Sequence, residues 1–233
     1  METLQMKKAV VQFYTDYDRV TENRNVHPTD TSLIQMSKSR FQKYAKKHGA
    51  EYYFLTERYF PSDLNPMVES LRIPTDDYWQ QYDLVLFADV DVVLNREAPN
   101  IWELCDVNKL NCVERMTGNN EDYRDLPQMR IAMDGKYADE LPPEADKYAL
   151  NSGVVVFGKG FAEKFRSVTD IYRYDRWRQR DQHELIYCSY KTDSQNPLNW
   201  RWNDYRTYAK DSHCWHFKGS RKHTIFPRIK HLL

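Results

Sequence analysis

The sequence predicts an α/β protein. Two observations carry that expectation: a strand–helix–strand opening near the N-terminus, and later apolar runs of strand length that alternate with segments of helical periodicity. Val10-Val11-Gln12-Phe13-Tyr14 reads as a first strand, continued by the polar, turn-prone Thr15-Asp16-Tyr17-Asp18. From Thr31 to His48 the residues Leu33, Ile34, Phe41, Tyr44 and Ala45 recur at helical spacing. Thr31 or Ser32 can cap the start, and Gly49 stands at the expected stop. Glu51 to Leu55 is a second strand, and Pro66 to Leu71 and Tyr78 to Tyr82 read as short helices. They lead into an apolar run that begins at Leu84. Ile101 to Cys105 reads as a helical turn and Val113 as the end of a strand.

Thr117 to Asp146, rich in Asn, Asp, Glu, Gly and Pro, is too long for an ordinary connection, which marks it as functional or mobile. Strand signals resume directly after it, so it does not read as a domain linker. Leu150 to Gly158 reads as a polar turn that opens a buried strand. Phe161 to Val168 and Asp181 to Tyr190 read as helices, and Lys191 to Leu233 as irregular, aromatic and increasingly basic.

A chain of 233 residues is long enough for one large α/β domain with a substantial core, or for two small ones. Thirty-four basic residues balance thirty-four acidic ones, which excludes a global field that would recruit nucleic acid or an anionic membrane. Seventeen Tyr and six Trp argue against disorder and suit both core edges and stacking on sugars or bases. The first residues have no apolar stretch of the kind a signal peptide requires, and no apolar run approaches membrane-spanning length. Four Cys lie far apart without a CxxC pair, so reduced thiols in a cytoplasmic compartment are expected. His213-Cys214-Trp215-His216 lacks a second ligand pair at zinc-site spacing.

Chemistry concentrates in four segments. Leu84 to Leu94 is an apolar run interrupted by Asp89 and Asp91, two carboxylates one residue apart. Burying acids in such a run is costly unless they are paired or bound to a cation. Oxygen ligands at a strand end, with room for phosphate oxygens, suit Mg²⁺ or Mn²⁺. Asn151-Ser152-Gly153 sets a small polar turn before a strand, where a backbone can approach a ligand closely. Asp181-Gln182 starts a helix. His216, Gly219 and Lys222 fall at i, i+3 and i+6, so that an imidazole could complete a metal shell while Gly219 and Lys222 meet a phosphate. Taken alone, Asp181 is equally a helix cap, Asn151 can bond its own turn, and His216 between Trp215 and Phe217 can be a core-edge histidine.

In that order along the chain, the four segments resemble the GT-A glycosyltransferases, and among them the glycogenin-like group that includes the bacterial lipopolysaccharide galactosyltransferases. The resemblance implies a single GT-A domain over residues 1–233: a Rossmann-like mixed sheet flanked by helices, nucleotide-binding to about residue 95 and acceptor-binding and catalytic beyond it. It also implies that Asp89, Asp91 and His216 hold Mn²⁺ or Mg²⁺ against the diphosphate of a UDP-sugar. Lys222 and Gly219 match the Lys and Gly of the family's His-x-x-Gly-x-x-Lys motif, which contacts phosphate. Asn151 matches the Asn of an Asn-Ser-Gly motif near the donor sugar, and Asp181 and Gln182 match an Asp-Gln pair near the reacting centre. Tyr14, Thr15 and Asp16 would sit under the uracil and ribose, and Arg72 would be a basic contact to the sugar. The implied partners are a nucleotide-sugar donor and a carbohydrate or glycoconjugate acceptor, with retention of anomeric configuration. The sequence departs from the family where His223-Thr224 replaces the usual Pro-Trp, and in a longer stretch between Asp91 and Asn151 than glycogenin has.

Asp89-Val90-Asp91-Val92-Val93-Leu94 also fits the nucleophile motif of haloacid-dehalogenase-like phosphatases, in which Asp89 would be phosphorylated and Asp91 would be the acid and base. That motif usually lies near the N-terminus and needs a later acidic pair. A non-catalytic carbohydrate-binding protein on the same GT-A fold is the third reading.

Overall fold

Apolar residues on both sides of the central strands dictate a sheet covered on both faces. The structure, a computed structural model, describes residues 6–14, 31–62, 64–114, 150–169, 181–231 and 233. The long segment Thr117 to Asp146, the pair Thr15 and Asp16, and the aromatic stretch Tyr172 to Trp177 lie outside the described residues.

The chain forms β1 (Lys8–Phe13), α1 (Thr31–Lys47), β2 (Glu51–Leu55), a 3-10 turn (Pro66–Leu71) running into α2 (Arg72–Thr75), and a second 3-10 turn (Asp77–Gln81). Then follow β3 (Leu84–Ala88), β4 (Val92–Leu94), β5 (Leu110–Glu114), β6 (Leu150–Gly158), α3 (Lys159–Val168) and α4 (Asp181–Thr192). The last part holds β7 (Gln195–Leu198), a 3-10 turn (Trp200–Asn203), β8 (Cys214–His216), α5 (Arg221–Thr224) and α6 (Phe226–Ile229).

Six strands make the main sheet in the order β2-β1-β3-β6-β5-β7. β1 is parallel to both β2 and β3, while β6 runs antiparallel to β3 and to β5. The chain therefore steps from β1 to one side for β2 and returns to the other side for β3. In open α/β sheets the crevice at such a reversal, beyond the carboxyl ends of the strands, is where ligands bind. Because β6 is antiparallel, its first residues lie at that same edge, with Val154 paired to Ala88.

Alternation along each strand divides the core into two layers. Val85, Phe87, Val155 and Phe157 pack with Phe161 and Phe165 of α3 and Leu185 and Ile186 of α4. Leu84, Leu86, Ala88 and Val156 pack with Phe41, Tyr44 and Ala45 of α1. Full burial of a side chain of this size contributes about 1.5–3 kcal/mol. Both faces of β3 are covered, which is why its sequence is continuously apolar.

Two expectations need correction. Asn151, Ser152 and Gly153 are not a turn before a strand: β6 begins at Leu150 and includes all three. The tail is not irregular either. Cys214–His216 pairs antiparallel with Val92–Leu94 as a separate two-stranded sheet, and Trp215, Phe217 and Phe226 build a third apolar cluster with Leu33 and Val93. Three-residue strands are too short to announce themselves by alternation, so only the long-range pairing reveals them.

Asp204 anchors this small sheet. Its backbone N–H donates to Cys214 O at 3.0 Å, and its carbonyl accepts from the His216 N–H at 2.8 Å. The buried carboxylate accepts from the backbone N–H groups of Arg206, Thr207 and Ala209 and from the hydroxyls of Thr207 and Ser212. Burial acts to raise this carboxyl, but the bonds from Ser212 and Thr207 outweigh it and hold Asp204 below the ordinary carboxylate range.

Asp204→Ala strands these donors and should destabilise the fold by on the order of 2–3 kcal/mol in urea unfolding. Since the folded value is depressed, the carboxylate's contribution is fully present above the unfolded value of about 3.9 and fades as pH falls through the folded one. The stability gap between wild type and variant should therefore narrow below about pH 4. A gap that stays constant well below about pH 4 would refute the role of the charge.

Candidate functional site

The apolar run of β3 ends at Ala88, and the chain turns through Asp89-Val90-Asp91 before resuming as β4, with the Val92 N–H donating to Asp89 O at 3.0 Å. The turn is clamped to β6 by the Asp89 N–H, which donates to Gly153 O at 2.9 Å. From β1, the buried Gln12 side chain donates to Ser37 Oγ of α1 at 2.7 Å and reaches Asp89 O at 3.5 Å. The Phe217 N–H donates to Asp91 O at 2.9 Å, and Val92 pairs with His216, so the tail is registered directly onto the acid pair.

This register brings the His216 Nε2 to 3.4 Å from Asp91 Oδ1 and 3.7 Å from Asp89 Oδ2. The ligand atoms of the three residues all lie within 4.8 Å of one another. Lys222 Nζ stands 2.9 Å from the other oxygen of Asp91. Asp91 and His216 are nearly enclosed, whereas the Asp89 side chain is 42% exposed. Asp91 Oδ1 is buried and has no hydrogen-bond partner.

Two carboxylates and an imidazole nitrogen, one of the oxygens orphaned, fit a hard divalent cation of the Mn²⁺ or Mg²⁺ type. The charges are strained without one. Although part of its side chain meets solvent, desolvation and then the charges of Asp91 and Asp181 raise the Asp89 carboxyl above its ordinary value. Burial would do the same to Asp91, but His216 and Lys222 outweigh it and hold that carboxyl below the ordinary range.

Asp181 opens α4, buried at the same edge. Its Oδ2 accepts from Ser70 Oγ at 2.9 Å and its Oδ1 from the Gln182 N–H at 2.8 Å, so it is held locally while its charge also bears on Asp89. Gln182 Nε2 donates to Leu150 O at 2.8 Å and ties α4 to the start of β6. Tyr14 follows β1, with its N–H on Leu55 O at 2.9 Å. The structure does not join Arg72 to the acid cluster: its guanidinium lies over the Tyr59 ring and donates to Glu57 O at 3.3 Å. Gly219 has φ of +62°, a left-handed backbone that glycine adopts without strain.

Gly153 has a different purpose from the one its motif suggests. A Cβ there would stand 2.3 Å from His216 Cε1 and 2.4 Å from Nδ1. It is the His216 ring, from within the chain, that comes against this backbone. Sequence reasoning also missed Asn203 and Asp204. Neither lies in a motif: Asn203 meets Asn151 from far along the chain, and Asp204 bonds the loop and strand that follow it. The later acidic pair that a haloacid-dehalogenase-like site needs does not appear in the cluster among the described residues, where a histidine and a lysine stand instead.

No family model matches the chain, and no curated protein matches it in sequence. Solved structures do. A glycosyltransferase involved in the glycosylation of the major capsid of PBCV-1 superposes with a TM-score of 0.56 at 11% identity, covering 97% of this chain and 99% of that one. The galactosyltransferase LgtC, in complex with donor and acceptor sugar analogs, superposes with a TM-score of 0.51 at 14% identity, covering 91% of this chain and 87% of that one. The chain has the GT-A fold of these enzymes.

The Gly153 contact can be tested directly. Gly153→Ala must displace the His216 ring, because the backbone on either side is fixed by strand pairing. The variant should keep its far-ultraviolet circular dichroism and lose at least about tenfold in Mn²⁺ affinity by calorimetry. Wild-type affinity in a folded variant would show that the position of the ring is immaterial to the cation.

Proposed function

We propose that this protein is a metal-dependent glycosyltransferase that moves a hexosyl or pentosyl group from a UDP-sugar to a hydroxyl of a carbohydrate or glycoconjugate acceptor, with retention of configuration. The observation that carries the proposal is the convergence of Asp89, Asp91 and His216 at the topological reversal of a GT-A sheet, with Lys222 beside them. The residues 1–233 act as one domain. Four unbridged thiols, three of them buried, support a reducing, cytoplasmic setting, and among the described residues no helix is long and apolar enough to cross a membrane.

Asp89, Asp91 and His216 would hold the Mn²⁺ or Mg²⁺ ion. When bound, the ion neutralises charge on the diphosphate as the sugar–phosphate bond breaks. Lys222 moves its ammonium from Asp91 to the diphosphate and stabilises the leaving group, while the left-handed turn at Gly219 lets the tail's backbone come close. Tyr14, Thr15 and Asp16, beyond the carboxyl end of β1, take the uracil and ribose. Asn151 and Gln182 border the donor sugar, and Arg72 reaches it after leaving the Tyr59 ring. As the anomeric carbon becomes oxocarbenium-like, the Asp181 carboxylate stabilises the positive charge. The acceptor hydroxyl attacks from the face that the diphosphate leaves and gives its proton to the departing diphosphate oxygen.

Screening nucleotide sugars with Mn²⁺ for UDP release and thermal stabilisation should single out the donor, since a ligand of the folded state raises its stability by mass action. Asp89→Asn and Asp91→Asn should each abolish turnover with the fold intact, and EDTA should do so reversibly. Full activity in EDTA would overturn the metal's part, and an inverted anomeric proton signal in the product would overturn retention.

Lys222→Ala should weaken UDP by on the order of 1.5–3 kcal/mol in calorimetry and leave uridine almost unaffected, because only the diphosphate offers charge to the ammonium. Equal losses for both ligands would mean that Lys222 merely shapes the tail.

A further inference from the structure

We infer that Asn203 is the positioning residue that aims the His216 Nε2 at the cation, through a buried relay whose polarity begins at the backbone of Gly153. The inference rests on the reading of Asp89, Asp91 and His216 as metal ligands.

The relay has one consistent direction. The Gly153 backbone N–H can only donate, and it meets Asn151 Oδ1 at 3.0 Å. That assigns the Asn151 oxygen to this position. Asn203 approaches the same oxygen at 2.8 Å and the Asn151 carbonyl at 3.1 Å. Both are acceptors, so Asn203 must present its NH₂ group to them. Its own Oδ1 then faces the His216 ring, 2.9 Å from Nδ1. An amide oxygen accepts only, so Nδ1 carries the proton. The opposite nitrogen, Nε2, is left facing Asp89 and Asp91, with its lone pair available to an ion between them.

Packing makes the relay rigid. Asn203 is fully buried and ends the Trp200–Asn203 turn, next to the anchoring Asp204. The ring it contacts lies across Gly153, where only a hydrogen atom fits. An aliphatic residue at 203 would leave Nδ1 without its acceptor and remove one donor from each Asn151 oxygen, with only the Gly153 N–H remaining on Oδ1. It would also free the ring to carry its proton on Nε2, where a cation would have to displace it.

The test uses the full chain and Mn²⁺ itself. Pulsed electron paramagnetic resonance of the wild-type protein should show hyperfine coupling from an imidazole nitrogen, lost in His216→Ala. Asn203→Ala should lower Mn²⁺ affinity by about ten- to a hundredfold and weaken that coupling, while circular dichroism stays unchanged. A folded Asn203→Ala with wild-type affinity and coupling would overturn the inference. Should that variant fail to fold, the wild type still decides: without metal, at a pH where the ring is neutral, long-range ¹H–¹⁵N spectra should place the His216 proton on Nδ1. A proton on Nε2 would overturn the inference. Absence of imidazole coupling in the wild type would instead refute the metal reading beneath it, a result distinct from either of the others.

Discussion

The short antiparallel pairing of Val92–Leu94 with Cys214–His216 is the contact on which the site depends. It carries the end of the chain back to the acid pair and sets the face on which each side chain emerges. Cys214 enters the α1-side core and Trp215 the third apolar cluster, while His216 points to the carboxylates. A slip of one residue would reverse this alternation and replace the imidazole with an indole or an apolar ring. Three residue pairs are a slender ladder, so its register needs outside support. Asp204 supplies it from the other side through backbone bonds to Cys214 and His216. Its carboxylate holds the following loop closed through hydroxyls and amides.

The charges at the sheet edge would be unfavourable in isolation. Asp89, Asp91 and Asp181 come together where water is partly excluded, and Lys222 offsets only part of the repulsion. Such an arrangement withstands folding because the three carboxylates are attached to separately stabilised elements. Asp89 and Asp91 flank a turn tied to β6 and to the tail, and Asp181 is held by Ser70 and by the first turn of α4. The scaffold holds the repulsion in place, and a cation relieves it. This is the electrostatic arrangement expected of a site that can hold a divalent cation.

Two buried amides close to the acid pair are nonetheless satisfied. Gln12 links β1, α1 and β2 through Ser37 and Tyr52, and Asn203 links the tail to β6. These buried amides sit directly behind the carboxylates and fix their surroundings in direction as well as in place. Asp91 Oδ1 is different. It is orphaned at the one point where an ion would supply the missing partner.

The α/β class and most elements were legible in the sequence because local signals carry them. The periodicity of Thr31–Lys47, the doubly buried run Leu84–Ala88 and the apolar run Val154–Phe157 each follow from a short stretch of chain. The acids at 89 and 91 stood out for a chemical reason, since charge within an apolar run demands an explanation. What only the tertiary structure decided were the features that depend on distant partners. Gly153 reads in sequence as part of a small turn where a backbone can approach a ligand, yet it lies within a strand and is small because the His216 ring lies across it. Asn203 and Asp204 look like ordinary polar residues of an aromatic tail, and their importance comes from groups on β6, β8 and the loop before it. A sequence records which groups can donate, accept or carry charge. Which of them meet is determined by long-range strand pairing and packing, and no local pattern encodes that.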